Sequence, residues 1–180
     1  KVALTGDGAD ELFGGYNRHI FLPKIYKLFG KAPQKLNKII ALLIEKIPLS
    51  EKGLAKDKRQ KLSNIISNSK NIESSYEGLL NLWFDKKNHV LKKEFHSDLK
   101  KDITLPMAST ISERIMLKDL IDYLPSDILV KTDRASMANS IETRCPFLDH
   151  EIAEFSRLIP LSLKSNSKNF SRSGKVILKN

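Results

Sequence analysis

The fold of this sequence is decided by the stretch Val2-Ala3-Leu4-Thr5-Gly6-Asp7-Gly8-Ala9-Asp10-Glu11-Leu12-Phe13-Gly14-Gly15-Tyr16. Its apolar opening, followed by Thr5-Gly6, is typical of a buried strand that ends in a loop. Three carboxylates, at Asp7, Asp10 and Glu11, then follow within five residues. The stretch therefore predicts a strand, an acidic loop and the beginning of a helix.

The acidic loop has two interpretations. Asp10 and Glu11 would suit the positive end of the helix that they open, and the glycines would then serve only as turns. Capping needs one acid, however, and carboxylates at the carboxyl end of a strand are where α/β proteins hold magnesium and phosphates. Gly6 and Gly8 would also let a ligand approach the backbone closely. The binding interpretation is therefore favoured.

A second dense group of charges lies at residues 131–150. Its basic side chains, Lys131, Arg134 and Arg144, are suited to phosphate or carboxylate oxygens. Its acidic side chains, Asp133, Glu142 and Asp149, could orient those cations or bind a substrate amine. A buried salt-bridge network that fixes helix ends would have the same composition, so both interpretations stay open.

Helical periodicity dominates the middle of the chain. A helix bracketed by Pro33 and Pro48 is predicted from the apolar positions Leu36, Ile39, Ile40, Leu43, Ile44 and Ile47. A more polar helix is predicted over residues 51–66. Another buried face is predicted at Tyr76, Leu79, Leu80, Trp83 and Phe84.

The later part of the chain is also predicted to be helical. An apolar stripe at Leu117, Leu120, Ile121 and Leu124, with Lys118, Asp119 and Asp122 pointing away from it, predicts a helix that ends at Pro125. Residues 162–174 are interpreted as an exposed loop, and a helix is expected to restart at Lys175. Almost no strand pattern follows residue 5. The chain is therefore predicted to be mainly α, with about one strand.

The net charge of +10 is confined to the middle of the chain. Residues 24–101 carry 18 basic and 8 acidic side chains, whereas residues 1–23 and 102–180 are nearly neutral. Of the 18, 17 are lysines, without the arginine and aromatic interleaving of a nucleic-acid surface. We interpret residues 24–101 as a solvated, lysine-rich helical segment. A module that binds nucleic acid or an acidic partner is the distant alternative.

The single cysteine and the short apolar runs limit the classes of protein further. Cys145 has no Cys or His at metal-ligand spacing and is interpreted as a packed thiol. The longest apolar run, Ile39 to Ile44, is far below the roughly 18 to 20 residues of a membrane span, and no signal-peptide pattern opens the chain. A cytoplasmic protein with no membrane contact is expected.

Two long motifs closely resemble the synthetase domain of bacterial glutamine-hydrolysing asparagine synthetases. They are T-G-D-G-A-D-E-L-F-G-G-Y at residues 5–16 and Y-L-P-S-D-I-L-V-K-T-D-R-A-S-M-A-N-S-I-E-T-R-C-P-F-L-D-H at residues 123–150. The resemblance implies a parent α/β domain with a parallel sheet, of the PP-loop, adenine nucleotide alpha hydrolase-like type. Residues 1–180 are then expected to be a fragment of the carboxyl-terminal synthetase domain, with residues 24–101 as an insert within it.

The resemblance also implies an activity. ATP and Mg²⁺ would convert aspartate to β-aspartyl-AMP, and ammonia from a glutaminase domain would then displace AMP to give asparagine. The amino-terminal glutaminase and the S-G-G-x-D-S phosphate-binding loop are absent from this sequence, so the chain is expected to be inactive alone. A homodimer is left open. A β-lactam synthetase or an amidotransferase from a polysaccharide cluster is the alternative within the same chemistry.

Individual site residues follow from the same resemblance. Asp10 matches the magnesium-binding aspartate of the family, and Asp7 matches the acidic residue placed to help ammonia attack. Lys175 matches a lysine thought to lie near the nucleotide or aspartate. Weaker candidates for binding substrate or nucleotide are Gly6, Gly8, Lys131 and Arg134. Three further matches, Glu142, Arg144 and Asp149, are assigned mainly to the wall of the site.

Overall fold

The computed structural model describes residues 1–47, 54–80, 110–165 and 174–179. The elements before residue 81 are β1 (Val2–Leu4), α1 (Ala9–Phe13), α2 (Arg18–Phe29), α3 (Gln34–Lys46), α4 (Leu54–Ser67) and α5 (Ile72–Leu80). The later elements are α6 (Ile111–Lys118), a π-helical segment (Asp119–Ile128), α7 (Leu129–Met137), β2 (Glu142–Arg144), a 3₁₀ turn (Pro146–Leu148), α8 (His150–Leu158), α9 (Leu161–Lys164) and α10 (Val176–Lys179). The prediction of a mainly helical chain is confirmed.

The two strands form a small parallel sheet, in which Val2 lies opposite Glu142 and Leu4 lies opposite Arg144. The prediction of about one strand is therefore wrong, because β2 was not anticipated. The alternation in Glu-Thr-Arg is too short to reveal a strand, since both outer residues are charged. The expected burial of β1 is also wrong, because Val2 and Leu4 are 62% and 76% exposed.

The chain divides into two compact units, which we call the sheet unit (Lys1–Pro23 and Ala108–Asn180) and the lysine-rich unit (Lys24–Met107). In the sheet unit, the buried side chains Leu12, Phe13 and Ile159 form a core cluster. Phe147 packs against this cluster, with its ring edge-on to Phe13 at a centroid distance of 6.0 Å. The core thus joins α1 and α8 to the residues that directly follow β2.

The lysine-rich unit packs α3, α4 and α5 against one another. Its buried apolar side chains include Ala41, Ile65, Ile66 and Tyr76. Four of the six predicted apolar positions of α3, at residues 36, 39, 43 and 47, are exposed, and Asn37 is fully buried instead. Asn37 donates hydrogen bonds to the carbonyl of Phe29 and to Ser69 Oγ, each at 2.9 Å. The buried residues of α3 are therefore Asn37 and Ala41, neither of which belongs to the predicted apolar face.

Several expectations about this part of the chain lie outside the described residues, among them those for Pro48, Trp83 and Phe84. No helix in the portion of the chain that the structure describes is long and apolar enough to cross a membrane.

Pro125 does not end the helix that precedes it. The chain continues past it as the π-helical segment, whose wider turn is seen where Leu129 N–H donates to the carbonyl of Leu124. The proline ring would obstruct an α-helical continuation. Asp119 is fully buried because it continues the buried face of α6, four residues after Ile115, whereas Ile121 is 37% exposed. The expected outward direction of Asp119 is therefore wrong.

The end of the chain also differs from expectation. An exposed loop was expected over residues 162–174, of which residues 166–173 lie outside the described residues. The expectation is wrong at its start, because α9 covers Leu161–Lys164 and the side chain of Lys164 is buried. Ser165 then forms an antiparallel bridge with Gly174, which precedes α10. Burial lowers the pKa of Lys164, because the charged ammonium loses hydration.

Asp119 holds two basic side chains in the sheet unit. Arg18 Nε donates to both of its carboxylate oxygens, at 3.0 and 2.8 Å, and His19 Nε2 lies 2.6 Å from Oδ2. The guanidinium of Arg18 also lies over the rings of Tyr16 and Tyr123, 3.9 and 4.5 Å from their centroids. This ionic cluster connects α2 to the π-helical segment.

Replacing Asp119 with alanine is expected to destabilise the chain by about 3 to 5 kcal/mol, because two basic groups lose a buried partner. Urea unfolding followed by circular dichroism measures the loss. Asp122→Ala is the matched control, because Asp122 is an exposed aspartate of the same segment and should cost under about 0.5 kcal/mol. Equal stability of the two variants would contradict this account of the cluster.

Candidate active site

The pairing of β1 with β2 brings the two charged motifs together. The ladder extends one residue beyond the strands, because Thr5 N–H donates to the carbonyl of Arg144 at 2.9 Å. Leu148, in the turn that follows β2, packs against Gly8 of the acidic loop. A Cβ on Gly8 would lie 2.3 Å from Leu148 Cδ2, and Gly8 has a φ of +92°. Gly8 is therefore required by the packing of the loop itself.

Asp10 and Lys175 form an ion pair, with 2.9 Å between Oδ1 and Nζ. Asp10 lies in the first turn of α1, and Lys175 directly precedes α10. Their side chains are 32% and 31% exposed, so both remain accessible to a ligand. Two residues that the sequence predicted separately, one as a metal ligand and one as catalytic, thus lie side by side.

Lys175 is held near Asp10 by a close backbone contact of the preceding residue, Gly174, that only glycine permits. A Cβ on Gly174 would lie 2.5 Å from the carbonyl oxygen of Gly14 and 2.8 Å from Cα of Gly15. Lys175 N–H donates to the carbonyl of Phe13 at 3.2 Å, and Lys175 itself has a φ of +55°. A lysine is seldom found in this left-handed region, so the surrounding contacts must hold it there.

Asp7 is half-buried and accepts a hydrogen bond from a hydroxyl group. Thr5 Oγ1 donates to Asp7 Oδ2 at 3.1 Å and also lies 3.2 Å from Cys145 Sγ. Sequence reasoning did not identify Thr5 as a site residue, and it interpreted Cys145 only as a packed thiol. The short spacing between Thr5 and Asp7 is visible in the sequence. Cys145 lies 140 residues away from Thr5, so no local pattern relates the two.

Glu11 is buried beside Asp10 and accepts a hydrogen bond of 2.8 Å from Tyr16 Oη. Desolvation raises the pKa of Glu11, and repulsion from Asp10 and Asp119 adds to this rise, while the bond from Tyr16 opposes it. Burial and the nearby carboxylate also raise the pKa of Tyr16, so its hydroxyl stays protonated and donates to Glu11.

The other predicted residues lie on the surface. Lys131 is 71% exposed and pairs with Asp127 at 2.6 Å, a contact that raises the pKa of Lys131 and lowers that of Asp127. Arg134 is exposed on α7, and Gly6 is exposed with no atom within 4 Å of a Cβ placed on it. The structure thus records no contact of these residues with the Asp10–Lys175 pair in the described ranges.

The three predicted wall residues hold local structure. Glu142 and Arg144 are exposed and pair with each other at 2.5 Å, on alternate positions of β2. Asp149 caps α8 by accepting a hydrogen bond of 2.9 Å from the backbone of Glu151. The proposed buried network does not form at these three positions, because their side chains face solvent.

The carboxylates near the acidic loop limit the kind of metal site that the chain could form. The described residues contain no group of three or more His, Cys, Asp or Glu side chains that could hold a metal ion. Mg²⁺, however, usually retains waters and takes one or two carboxylates together with substrate phosphates. Asp10 fits such a shared site, and it does not fit a site made from protein ligands alone.

Comparison with known proteins identifies one family. The family described as asparagine synthase matches residues 1–180. A Bacillus subtilis (strain 168) protein named asparagine synthetase 1, glutamine-hydrolyzing, is 30% identical over 172 residues, which are 92% of this chain and 26% of that protein.

Mycobacterial proteins give a similar result. Two proteins named "Putative asparagine synthetase", glutamine-hydrolyzing, from Mycobacterium bovis and Mycobacterium tuberculosis, are each 31% identical over 170 residues, or 91% of this chain and 25% of theirs. The chain thus spans about a quarter of the length of the curated relatives it matches. No solved structure matches it.

Gly174→Ala is expected to destabilise the chain by about 1 to 3 kcal/mol, because the added methyl overlaps backbone atoms of Gly14 and Gly15. Urea unfolding measures this change. Gly78→Ala is the control, since the nearest atom to its Cβ is 4.0 Å away and alanine favours helix. A Gly174→Ala variant as stable as the unsubstituted chain would show that the contact is not tight.

The free energy of unfolding of Glu11→Gln, compared with that of the unsubstituted chain, is expected to increase as the pH rises from about 4.5 to 7. The raised pKa of Glu11 means that ionisation costs more in the folded chain than in the unfolded chain. Stability is therefore lost as the pH rises through the folded-state pKa, and glutamine removes that loss while still accepting a hydrogen bond from Tyr16. Urea unfolding at both pH values tests this, with the exposed Glu154→Gln as control. A difference that does not change with pH would contradict it.

Proposed function

Because the chain belongs to the asparagine synthase family, we propose that it forms part of an ATP-dependent ligase that makes asparagine. The substrates are aspartate, ATP and ammonia released from glutamine elsewhere in the natural protein. The printed names of the relatives support the product and the use of glutamine. The observation that carries the proposal for this chain is the accessible ion pair between Asp10, in the first turn of α1, and Lys175, directly before α10, with 2.9 Å between Oδ1 and Nζ.

The proposed reaction has two steps. An oxygen of the aspartate side-chain carboxylate attacks the α-phosphorus of ATP, and the bond to the bridging oxygen of pyrophosphate breaks. The nitrogen of ammonia then attacks the acyl carbon of β-aspartyl-AMP, and the bond to AMP breaks. The new amide nitrogen loses a proton, which Asp7 would accept. Charge neutralisation and positioning dominate phosphoryl chemistry of this kind.

Each residue of the site has a role in this proposal. The ammonium of Lys175 neutralises phosphate charge, since it lies beside the acidic loop at a partly exposed position. Asp10 would hold Mg²⁺ together with the phosphates, and the ion would supply further positive charge there. Exposed Gly6 leaves room for a phosphate near the backbone. Gly8 lets the loop pack on Leu148, and Glu142, Arg144 and Asp149 would form the wall of the site.

The remaining expectations are part of the same proposal. We place the phosphate-binding loop and the glutaminase in other parts of the natural protein, and residues 24–101 as an insert in an α/β parent domain with a parallel sheet. The support for this placement is that the chain spans only about a quarter of its relatives. The parallel β1–β2 pair is the type of pairing that such a sheet contains. The proposed location is the cytoplasm.

Aspartate-dependent exchange of pyrophosphate into ATP tests the proposal in the full natural protein that contains this chain. Exchange should occur, and Asp10→Asn should lower its rate by about 100-fold or more, because charge stabilisation of the phosphates is lost. Asp122→Asn on the exposed surface is the control and should leave the rate unchanged. No exchange in the unsubstituted protein would refute the proposed function. Exchange with another carboxylic acid in place of aspartate would assign the chain to a different amide-forming member.

A further inference from the structure

The chain of contacts from Cys145 through Thr5 to Asp7 is the feature that the proposed function does not use. Thr5 Oγ1 lies 3.1 Å from Asp7 Oδ2 and 3.2 Å from Cys145 Sγ. All three side chains are half-buried, at the point where the β1–β2 ladder ends. We propose that Thr5, supported by Cys145, is a positioning residue that holds Asp7 for the step in which ammonia attacks the acyl-adenylate. This inference rests on the proposed function.

The directions of the hydrogen bonds follow from the chemistry of the three groups. A hydroxyl has one proton to donate and two lone pairs to accept, whereas a carboxylate only accepts. Thr5 must therefore give its proton to Asp7. The remaining lone pairs of Thr5 then face Cys145, so that the thiol donates to Oγ1. Cys145 thus fixes the rotation of the Thr5 hydroxyl toward Asp7.

The backbone of Thr5 is fixed independently of this hydroxyl. Its N–H donates to the carbonyl of Arg144 at 2.9 Å, which continues the parallel ladder. Threonine is also branched at Cβ and has few rotamers, so a fixed backbone leaves its hydroxyl little freedom. Thr5 is therefore a rigid support for Asp7, whose neighbours Gly6 and Gly8 do not restrict its side chain.

The bond from Thr5 engages only one oxygen of Asp7. Within the described parts of the chain, Oδ1 of Asp7 has no hydrogen-bond partner. Holding Oδ2 thus leaves Oδ1 as the oxygen that would accept a proton from the attacking nitrogen. A carboxylate that is allowed to rotate would spend part of its time with neither oxygen in place, and misplacement of a reacting group by about 1 Å can cost about 100-fold in rate.

A purely structural role for Thr5 makes a different prediction. If Thr5 only maintained the fold, or only touched the nucleotide, its loss would affect formation of the acyl-adenylate and its capture by ammonia to the same extent. A role in positioning Asp7 affects the second step alone, because the first step does not use Asp7. The two half-reactions therefore separate the two roles.

The experiment measures both half-reactions in the full natural protein. Thr5→Val removes the hydroxyl and keeps the shape, and it should lower ammonia-dependent asparagine formation by about 10- to 100-fold, the range of one hydrogen bond to a charged group. Aspartate-dependent pyrophosphate exchange should stay within about 2-fold. Thr5→Ser restores the donor and should recover most of the amide formation. Thr143→Val makes the same substitution on β2 and should change neither half-reaction.

Cys145 provides a second and milder test. Cys145→Ala removes the thiol donor and should lower amide formation by a few-fold with exchange unchanged, whereas Cys145→Ser keeps a donor and should lose less. The inference is overturned if Thr5→Val lowers both half-reactions equally, if it lowers neither, or if Thr5→Ser fails to recover. Absence of exchange in the unsubstituted protein would instead refute the proposed function, and the inference with it.

Discussion

The parallel pairing of β1 with β2 is the constraint on which the rest of the sheet unit depends. It joins residues that are about 140 positions apart in the sequence, with Val2 opposite Glu142 and Leu4 opposite Arg144. This register places Thr5 beside Cys145 and brings the turn after β2 below the acidic loop. Loss of the pairing would separate Thr5 from Cys145, and Phe13 of α1 from its aromatic contact with Phe147.

The sheet unit contains one charged cluster that is mostly buried and one charged pair that is accessible to solvent. His19 and Asp119 are buried, the side chain of Arg18 is 12% exposed, and their bonds connect α2 to the π-helical segment. Asp10 and Lys175 are each about one-third exposed and can exchange partners with a charged ligand. The first cluster is therefore expected to contribute to stability, and the proposed function gives the second a role in binding.

Sequence patterns predicted the helices well, because an apolar residue every three or four positions is a strong signal over ten or more residues. They did not predict β2, since three residues with charged ends carry no period. The burial of Asp119 was also missed, because the buried face runs through Ile115 and Met116, whereas the predicted stripe included Ile121, which is exposed.

The candidate site was predictable in part. Family resemblance named Asp10 and Lys175, and the structure places these two together, although their chemical roles remain predictions. Spacing could not identify the contact of Thr5 with Cys145, because a lone cysteine carries no partner signal and the strand that delivers it is short. Gly174 was missed for a related reason. A side chain is excluded at this position only because the backbone passes close to Gly14 and Gly15.

The most direct test of the β1–β2 register is a disulfide made with one substitution. In Thr5→Cys the introduced sulfur replaces Oγ1, which lies 3.2 Å from Cys145 Sγ. Neighbouring strands are about 4.8 Å apart, which suits a disulfide. Under mild oxidation, peptide mass spectrometry should find an intramolecular bond to Cys145, whereas Val2→Cys, three residues along β1, should leave Cys145 reduced. If both thiols of Thr5→Cys remain open to alkylation, the pairing of β1 with β2 is contradicted.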